Sequence, residues 1–199
     1  LKLSILRGGD FPPNHQPAQV IAEPWGEAEF SFESADKGRV RWSSAYPGFS
    51  NGEMQLTRLT TLAPRDNTPS LGRINSCHSG SWYNLDQNGH GLMVEVIGPP
   101  GARQMLATWF TYLNGRQRFL YGVGPVSGDT ATMEMYTTSG GRFPNFDPNQ
   151  IVSLPWGSLR FVAINGSAAR LEWTTAIEGF SSGILNINRL TTLIDHGCF

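Results

Sequence analysis

The feature that most limits how this chain can fold is an internal repeat at a constant offset of 131 residues. Similarity at a fixed period indicates that one supersecondary unit occurs more than once. Residues 1 to 62 match only the rear part of a later, complete copy, and no stretch matches that copy's front part. The matched segments are Pro24-Trp25-Gly26 with Pro155-Trp156-Gly157, Trp42 with Trp173, Gly48-Phe49-Ser50 with Gly179-Phe180-Ser181, Arg58 to Leu62 with Arg189 to Leu193 and, at an offset of 132, Gly8-Gly9 and Phe11-Pro12 with Gly140-Gly141 and Phe143-Pro144.

The repeated segments have the pattern of β-strands. Ala28, Phe30 and Phe32 alternate with polar residues in the first copy, and Leu159 and Phe161 keep the same phase in the second. An alternation of period two is typical of strands with one buried face. The composition agrees, because 23 Gly, 13 Pro and only 16% charged residues favour short strands joined by turns over a helical bundle.

The complete copy predicts eight strands. The first opens at Gly80-Ser81-Trp82-Tyr83-Asn84, where a small residue lets the chain turn closely and a large indole fills one barrel end. We therefore predict an all-β fold, with an antiparallel, up-and-down, eight-stranded barrel preceded by a four-stranded half repeat. The other seven predicted strands are Gly91 to Ile97, Met105 to Leu113, Arg118 to Val123, Thr132 to Thr137, Ser158 to Ile164, Arg170 to Thr175 and Ile184 to Thr191.

The repeat also predicts the domain boundaries. Residues 1 to 63 are the half repeat, residues 64 to 76 a linker whose start is rich in proline, and residues 77 to 199 the complete barrel module. The connection from Ser139 to Leu154 contains two prolines and recurs in the first copy, which predicts an ordered Ω-type loop.

Two cysteines frame the complete copy. Cys77 precedes its first strand and Cys198 follows its last, and these strands are neighbours in an up-and-down barrel. The positions predict a disulfide, and hence a secreted, cell-surface or periplasmic protein. The alternatives are two unpaired buried cysteines, or a zinc site completed by His78 and His196, although these ligands lack the usual short-spaced pair. We predict no metal and no cofactor.

Charge, hydropathy and motifs disfavour several classes of function. A net charge of -1 without a Lys/Arg-rich tract disfavours nucleic acid as a partner, and no apolar run reaches the length of a membrane span. The four histidines lie in predicted loops, and no recognisable motif sets a Ser or Cys nucleophile beside them. We predict that the protein is not an enzyme, with a hydrolase as the remaining alternative.

Gly80-Ser81-Trp82 and Arg189 resemble the signature of the calycin barrels, which include lipocalins, fatty-acid-binding proteins and avidins. In that family a Gly-x-Trp in strand one packs under an Arg near the end of the last strand. The resemblance implies a calycin-like barrel in which Trp82 and Arg189 stack at the closed end. Trp82-Tyr83-Asn84 also resembles the first strand of avidins, where the Asn contributes to the ligand pocket.

A second resemblance covers nearly the whole chain. It is similar to a GSWYN-type β repeat module of secreted proteobacterial proteins, a family that implies no particular activity. The segments that carry this similarity are Gly80 to Gly91, Ala107-Thr108-Trp109, Gly140 to Phe143, Pro155-Trp156-Gly157 and Arg189-Leu190-Thr191.

The leading hypothesis for function is a non-catalytic binding or accessory module. Asn84, Trp109, Tyr121 and Trp173 are the candidate residues of a barrel interior that could hold a small molecule or glycan. If side chains fill the barrel instead, binding falls to surface aromatic residues or to the long loop. The alternative is a structural subunit of an extracellular tandem-repeat or filament assembly.

The half repeat favours this structural alternative. Phe30, Phe32 and Trp42 would give residues 1 to 62 an apolar face too large to leave in water. Arg58 occupies the position of Arg189, yet no second Gly-x-Trp is present to receive it. Self-association, upstream strands or the complete copy must therefore cover this face, and we favour the first two.

Overall fold

Twelve antiparallel strands share one hydrogen-bonded sheet in the computed structural model, which describes residues 1 to 65, 72 to 143 and 146 to 194 together with His196 and Cys198. The only helical elements within these ranges are three-residue 3-10 turns. The predicted all-β fold is confirmed. The strands are β1 (Lys2–Arg7), β2 (Ile21–Phe32), β3 (Lys37–Ser44), β4 (Gly52–Thr57), β5 (Gly80–Tyr83), β6 (Gly91–Ile97), β7 (Gln104–Leu113), β8 (Arg116–Ser127), β9 (Thr130–Ser139), β10 (Val152–Ala163), β11 (Ala168–Thr175) and β12 (Gly183–Arg189).

Strands β5 to β12 form a closed barrel in meander order, as predicted. The ring closes where β12 pairs with β5, with Arg189 opposite Trp82 and Asn188 opposite Tyr83. The turn between β7 and β8 shows how the sequence fixes a hairpin. Asn114 and Gly115 both adopt positive φ between β7 and β8, as the tightest hairpin turns require.

Side chains fill the barrel completely from within. Tryptophans from β5, β7, β10 and β11 meet Phe161 and rows of aliphatic residues in one continuous core. A barrel of eight strands has an interior just wide enough for such filling. The largest side chains that are wholly buried are Trp82, Trp109, Trp156, Tyr112, Phe161, Met105, Leu120, Met133, Met135, Leu159, Leu171 and Ile187.

Strands β1 to β4 form a second meander outside the ring. Their bounds follow the repeat offset, since β2 and β10 both have twelve residues and β3 and β11 both have eight. Strand β1 meets the barrel at a single register pair, Arg7 with Arg116 on β8. Further ties come after β4, where Leu62 bridges to Ile97 and the Ala63 amide donates to the Val96 carbonyl.

The predicted linker needs a correction at its end. Residues 66 to 71 of the 64 to 76 segment lie outside the described residues. Ile74 and Asn75 are buried, and the Ile74 amide donates to the Gly128 carbonyl in the β8–β9 turn. This end of the segment therefore belongs to the barrel module, because an apolar side chain and a backbone bond hold it there.

None of the helical turns among the described residues could span a membrane.

Candidate functional site

The barrel mouth is filled by a side chain from the other copy. Phe11, in the loop between β1 and β2, is only 3% exposed. Its ring centroid lies 5.0 Å from Trp109, 5.9 Å from Trp156, 5.9 Å from Trp173 and 4.8 Å from Phe180. Such tilted and edge-to-face contacts are favourable beyond the apolar area that they bury. Phe11 therefore anchors the half repeat to the barrel.

The matching residue of the complete copy makes the matching contact in the opposite direction. Phe143, in the loop between β9 and β10, lies 6.1 Å from Trp25, 5.0 Å from Trp42 and 5.3 Å from Phe49. We call Trp25, Trp42 and Phe49 the first socket. Their repeat equivalents, Trp156, Trp173 and Phe180, are the second socket. Each loop thus inserts its phenylalanine into the socket of the other copy.

Equivalent hydrogen bonds shape the two sockets. In each copy, the indole of the β3 or β11 tryptophan donates to a carbonyl eight residues ahead, in the turn before the next strand. A hydroxyl near the end of the same strand donates to the backbone carbonyl of the other tryptophan in that socket, Trp25 or Trp156. These bonds satisfy the indole N–H groups of Trp42 and Trp173 and hold the apolar walls in place, whereas Trp156 Nε1 is buried without a hydrogen-bond partner among the described residues. The bonds are Trp42 Nε1 to Ser50 O, Trp173 Nε1 to Ser181 O, Ser44 Oγ to Trp25 O and Thr175 Oγ1 to Trp156 O.

The sockets differ in one wall. Trp109 on β7 closes the second socket over Phe11, and it belongs to the front part of the complete copy. Among the described residues no equivalent ring closes the first socket over Phe143. Phe143 is accordingly 40% exposed, while Phe11 is buried.

Polar contacts fix the Phe11 loop beside its ring. The Ser181 hydroxyl donates to the Pro12 carbonyl at 2.7 Å. The imidazole of His15, also buried, lies 3.0 Å from the Asp10 carbonyl through Nδ1 and 2.9 Å from the Asn88 carbonyl through Nε2. Both partners are acceptors, so the doubly protonated ring donates both bonds and the neutral ring donates one. His15 thereby ties the half repeat to the turn before β6.

A second buried histidine lies against His15. His90 is 4.6 Å from it between ring centroids, and its Nδ1 accepts from Trp109 Nε1 at 3.3 Å. The proton of the neutral ring is therefore on Nε2, which lies 3.2 Å from the Gln87 side-chain oxygen. Burial lowers the pKa of His90 to about 4, and the positive charge of His15 acts in the same direction. Close to the Phe11 loop, the barrel thus holds a neutral imidazole at pH 7.

The opposite end of the barrel is sealed as the cysteines predicted. Cys77 and Cys198 form a disulfide, with their Cα atoms 5.0 Å apart. The Arg189 guanidinium donates to the Cys77 carbonyl beside this bond. Burial also lowers the pKa of His78, next to Cys77, to about 4.

The predicted stacking of Trp82 with Arg189 is replaced by another contact. The ring parallel to the indole is His78, with an angle of 5° between planes and 6.3 Å between centroids, and Trp82 Nε1 donates to the His78 carbonyl. Arg7 over Tyr46 is the one cation–π pair among the described residues. Arg189 lies opposite Trp82 in register, but its guanidinium turns toward the Cys77 carbonyl because a partly buried cation needs an acceptor.

The four candidate ligand residues are not brought together. Trp109 and Trp173 face inward, but Phe11 occupies the space between them. Asn84 caps the 3-10 turn after β5, accepting from the Asp86 amide, and lies outside the barrel. The prediction of an interior site formed by these residues is therefore wrong for Asn84, because its side chain is needed by the turn.

Tyr121 also faces outward, contrary to the prediction. Its hydroxyl lies 2.6 Å from Ser153 Oγ on the barrel's outer face. The inward positions on β8 are Leu120 and Gly122, and a Cβ at Gly122 would lie 2.3 Å from the Glu134 carbonyl oxygen. Glycine occupies this inward position because β8 and β9 approach closely there. Because the inward residue is a small glycine, the neighbouring Tyr121 is easily mistaken for the inward-facing residue of β8.

The geometry offers little for small-molecule or metal chemistry within the described residues. The concavities there are surface grooves open to solvent, since the barrel interior is occupied. Cys77, His78 and Cys198 bring potential ligand atoms within 4.8 Å of one another. Their two sulfurs are consumed by the disulfide, however, and only thiolates bind zinc.

Sequence reasoning missed the roles of Phe11, Phe143 and His15. A signal was present for the first two, because Gly-Gly-x-Phe-Pro recurs in both copies. A phenylalanine kept within a loop indicates a buried anchor, but not which socket receives it.

No protein-family model matches the chain, and no curated protein or solved structure is significantly similar to it.

Proposed function

We propose that this chain is a non-catalytic structural module of an extracytoplasmic repeat protein, whose role is to hold successive repeat copies together. The observation that carries the proposal is the reciprocal insertion of Phe11 and Phe143 into the second and first sockets. Aromatic side chains in desolvated pockets supply most of the energy of protein interfaces. An exchange of such anchors is what a connecting module requires.

The filled barrel supports a structural role over transport of a ligand. Lipid or cofactor carriers of similar size keep an internal cavity, whereas this barrel is packed with tryptophan, phenylalanine and methionine. The disulfide supports a location outside the cytoplasm, because such bonds persist in oxidising compartments.

Hydrogen exchange measured by mass spectrometry tests the proposal. In Phe143→Ser the first socket loses its anchor, so amides of β2 and β3 should exchange faster while those of β10 and β11 remain protected. Phe146→Ser is the matched control, since Phe146 lies in the same loop and is 65% exposed. Unchanged exchange in β2 and β3 of Phe143→Ser would show that the inserted ring does not hold the copies together.

A second candidate function is glycan binding on the outer face of the barrel. Phe110, Phe119, Tyr121 and Tyr136 form a row of partly exposed rings across β7, β8 and β9. Phe119 and Tyr121 lie 6.3 Å apart at 33°, and Tyr121 and Tyr136 lie 6.0 Å apart at 34°. Rings in such a row can stack against the apolar faces of successive sugar rings.

Affinity electrophoresis in gels containing soluble polysaccharides tests this second candidate. Retardation that is lost in Phe119→Ala and Tyr121→Ala, but kept in Phe30→Ala, would support it. Equal mobility of all four proteins in every polysaccharide would exclude it.

A further inference from the structure

The apolar face of the half repeat is uncovered at positions whose equivalents are buried in the complete copy. Phe30 is 47% exposed, whereas its equivalent, Phe161, is 0% exposed. Met54 is 52% exposed, whereas Leu185 is 9% exposed. Phe32, on the same face, is 75% exposed. The same strand positions therefore have cover in one copy and none in the other.

The complete copy shows what the missing cover is. Its strands β5 to β8 supply Trp82, Leu92, Met105 and Leu120 to the core that encloses β9 to β12. Trp82 packs edge-on against Phe161, with 5.2 Å between ring centroids. The described residues contain no such indole against Phe30 and no second set of strands equivalent to β5 to β8.

Both edges of the half repeat are free where the complete copy is paired. Within the described residues β4 pairs only with β3, while the equivalent β12 also pairs with β5. Residues 2 to 6 of β1 pair only with β2, while the equivalent β9 also pairs with β8, for example Met135 with Gly122. Unpaired edges beside an apolar face are a template for additional strands.

Arg58, the repeat equivalent of Arg189, has no strand equivalent to β5 beside it among the described residues. The Arg58 amide donates to the Asp36 carbonyl, as the Arg189 amide donates to the Ser167 carbonyl, so the two backbones agree. The Arg58 guanidinium lies over the Asp36 carboxylate at 3.4 Å in solvent, instead of donating to a carbonyl ahead of a Gly-x-Trp strand.

The uncovered face continues directly from an established interface. Phe143 of the complete copy already covers Trp42 at one end of it, and Phe30 and Met54 lie beyond that contact on neighbouring strands. On these grounds we infer that the half repeat is an acceptor site for a front half of the same repeat type, four antiparallel strands that begin with a Gly-x-Trp. The inference rests on the repeat relationship, and not on the exchange of phenylalanine loops.

The inference is tested by an extended chain in which residues 74 to 132 are copied directly ahead of Leu1. The copied Cys77 is changed to Ser so that it cannot compete for Cys198. Hydrogen exchange is followed in residues 2 to 6 and 52 to 57, the two free edges. Their protection should rise by roughly tenfold or more over the unextended chain, and dye binding to the apolar face should fall.

The acceptor face has a matched pair of variants in the extended chain. Phe30→Ser with Met54→Ser should abolish the added protection, whereas Ile184→Ser, at an exposed position on β12, should leave it intact. Protection of the edges that is unchanged by the extension, or insensitive to Phe30 and Met54, overturns the inference. Exchange in β2 and β3 near Phe143 reports separately on the proposed function.

The unextended chain supplies a test that does not depend on folding of the extension. Its unfolding midpoint should change only slightly with Phe30→Ser and Met54→Ser, because about half of each residue is already exposed. A much lower midpoint in a monomer would mean that this chain covers the face itself. Concentration-dependent protection of residues 52 to 57 would mean that a second copy covers it. Either result overturns the inference.

Discussion

Phe11 and Phe143 occupy equivalent loops of two repeat copies, and each packs among the aromatic residues of the copy to which it does not belong. The contact explains how the half repeat stays on the barrel. Strand β1 and β8 share a single register pair, so the backbone ladder between the copies is short. The remaining attachment comes from the inserted ring, from His15 and from the segment after β4.

Replacing Phe11 with Ala should destabilise the protein by about 3–5 kcal/mol, because a wholly buried ring leaves a cavity among four aromatic residues. Urea unfolding followed by tryptophan fluorescence measures the loss. Phe146→Ala, at an exposed position, should change the free energy of unfolding by about 0.5 kcal/mol or less. Similar values for the two variants would contradict the role given to Phe11.

Removing the disulfide by Cys77→Ala and Cys198→Ala should lower the free energy of unfolding by about 4–5 kcal/mol in the chain-entropy model, since the bond closes a loop of 121 residues. Chemical denaturation of the two proteins gives the difference. Thiol titration of the native protein should find no reactive cysteine, and two free thiols would contradict the observed closure of the barrel.

Stability should fall as the pH drops from 6.5 toward 4. The pKa values of His78 and His90 are lowered to about 4, so between those limits the unfolded chain binds protons that the folded protein does not. Each histidine thus contributes stability that is present above pH 6.5 and lost as the pH falls through about 4, on the order of 3 kcal/mol per histidine.

Unfolding free energies at several pH values check this dependence. His90→Asn should reduce the slope between pH 6.5 and 4 by about 1.4 kcal/mol per pH unit, the value for one proton. Phe146→Ala, which changes an exposed side chain that carries no titratable proton, is the control and should leave the slope unchanged. Equal slopes in the wild type and His90→Asn would mean that His90 is protonated in the folded state.

Arg189→Ala should cost about 1–3 kcal/mol, because the Cys77 carbonyl loses a charged donor at the sealed end. Thermal or urea unfolding measures the loss. Arg58→Ala is a control at the equivalent repeat position, where the side chain is 45% exposed, and should have an effect near zero. A loss as large for Arg58 as for Arg189 would show that the sealed end is not what gives Arg189 its effect.

The strands, the closure and the disulfide could be predicted because each depends on local patterns. Alternation gave the inward face of β10, and the order of the meander placed Cys77 beside Cys198. The destination of Phe11 could not be predicted in this way. A repeat identifies equivalent residues. It does not show whether a phenylalanine packs within its own copy or against the other copy, because both arrangements give the same sequence pattern.

Tyr121 and Asn84 show a different limit. Period-two patterns assume that inward positions carry large side chains, and on β8 they carry Gly122 and Gly124 where β9 crosses closely. Asn84 has a polar side chain that serves its own turn. Neither effect is visible without the partner strand or the local backbone geometry.

The exchange of phenylalanines also sets how many copies can be joined. Each copy inserts one phenylalanine and receives one, so the contact resembles an isologous interface. Such an interface is complete once two copies have paired. Both sockets are occupied once a pair has formed, so a third copy finds no vacant position there. Copies joined in this way are therefore coupled in pairs, and any link between pairs needs a different surface.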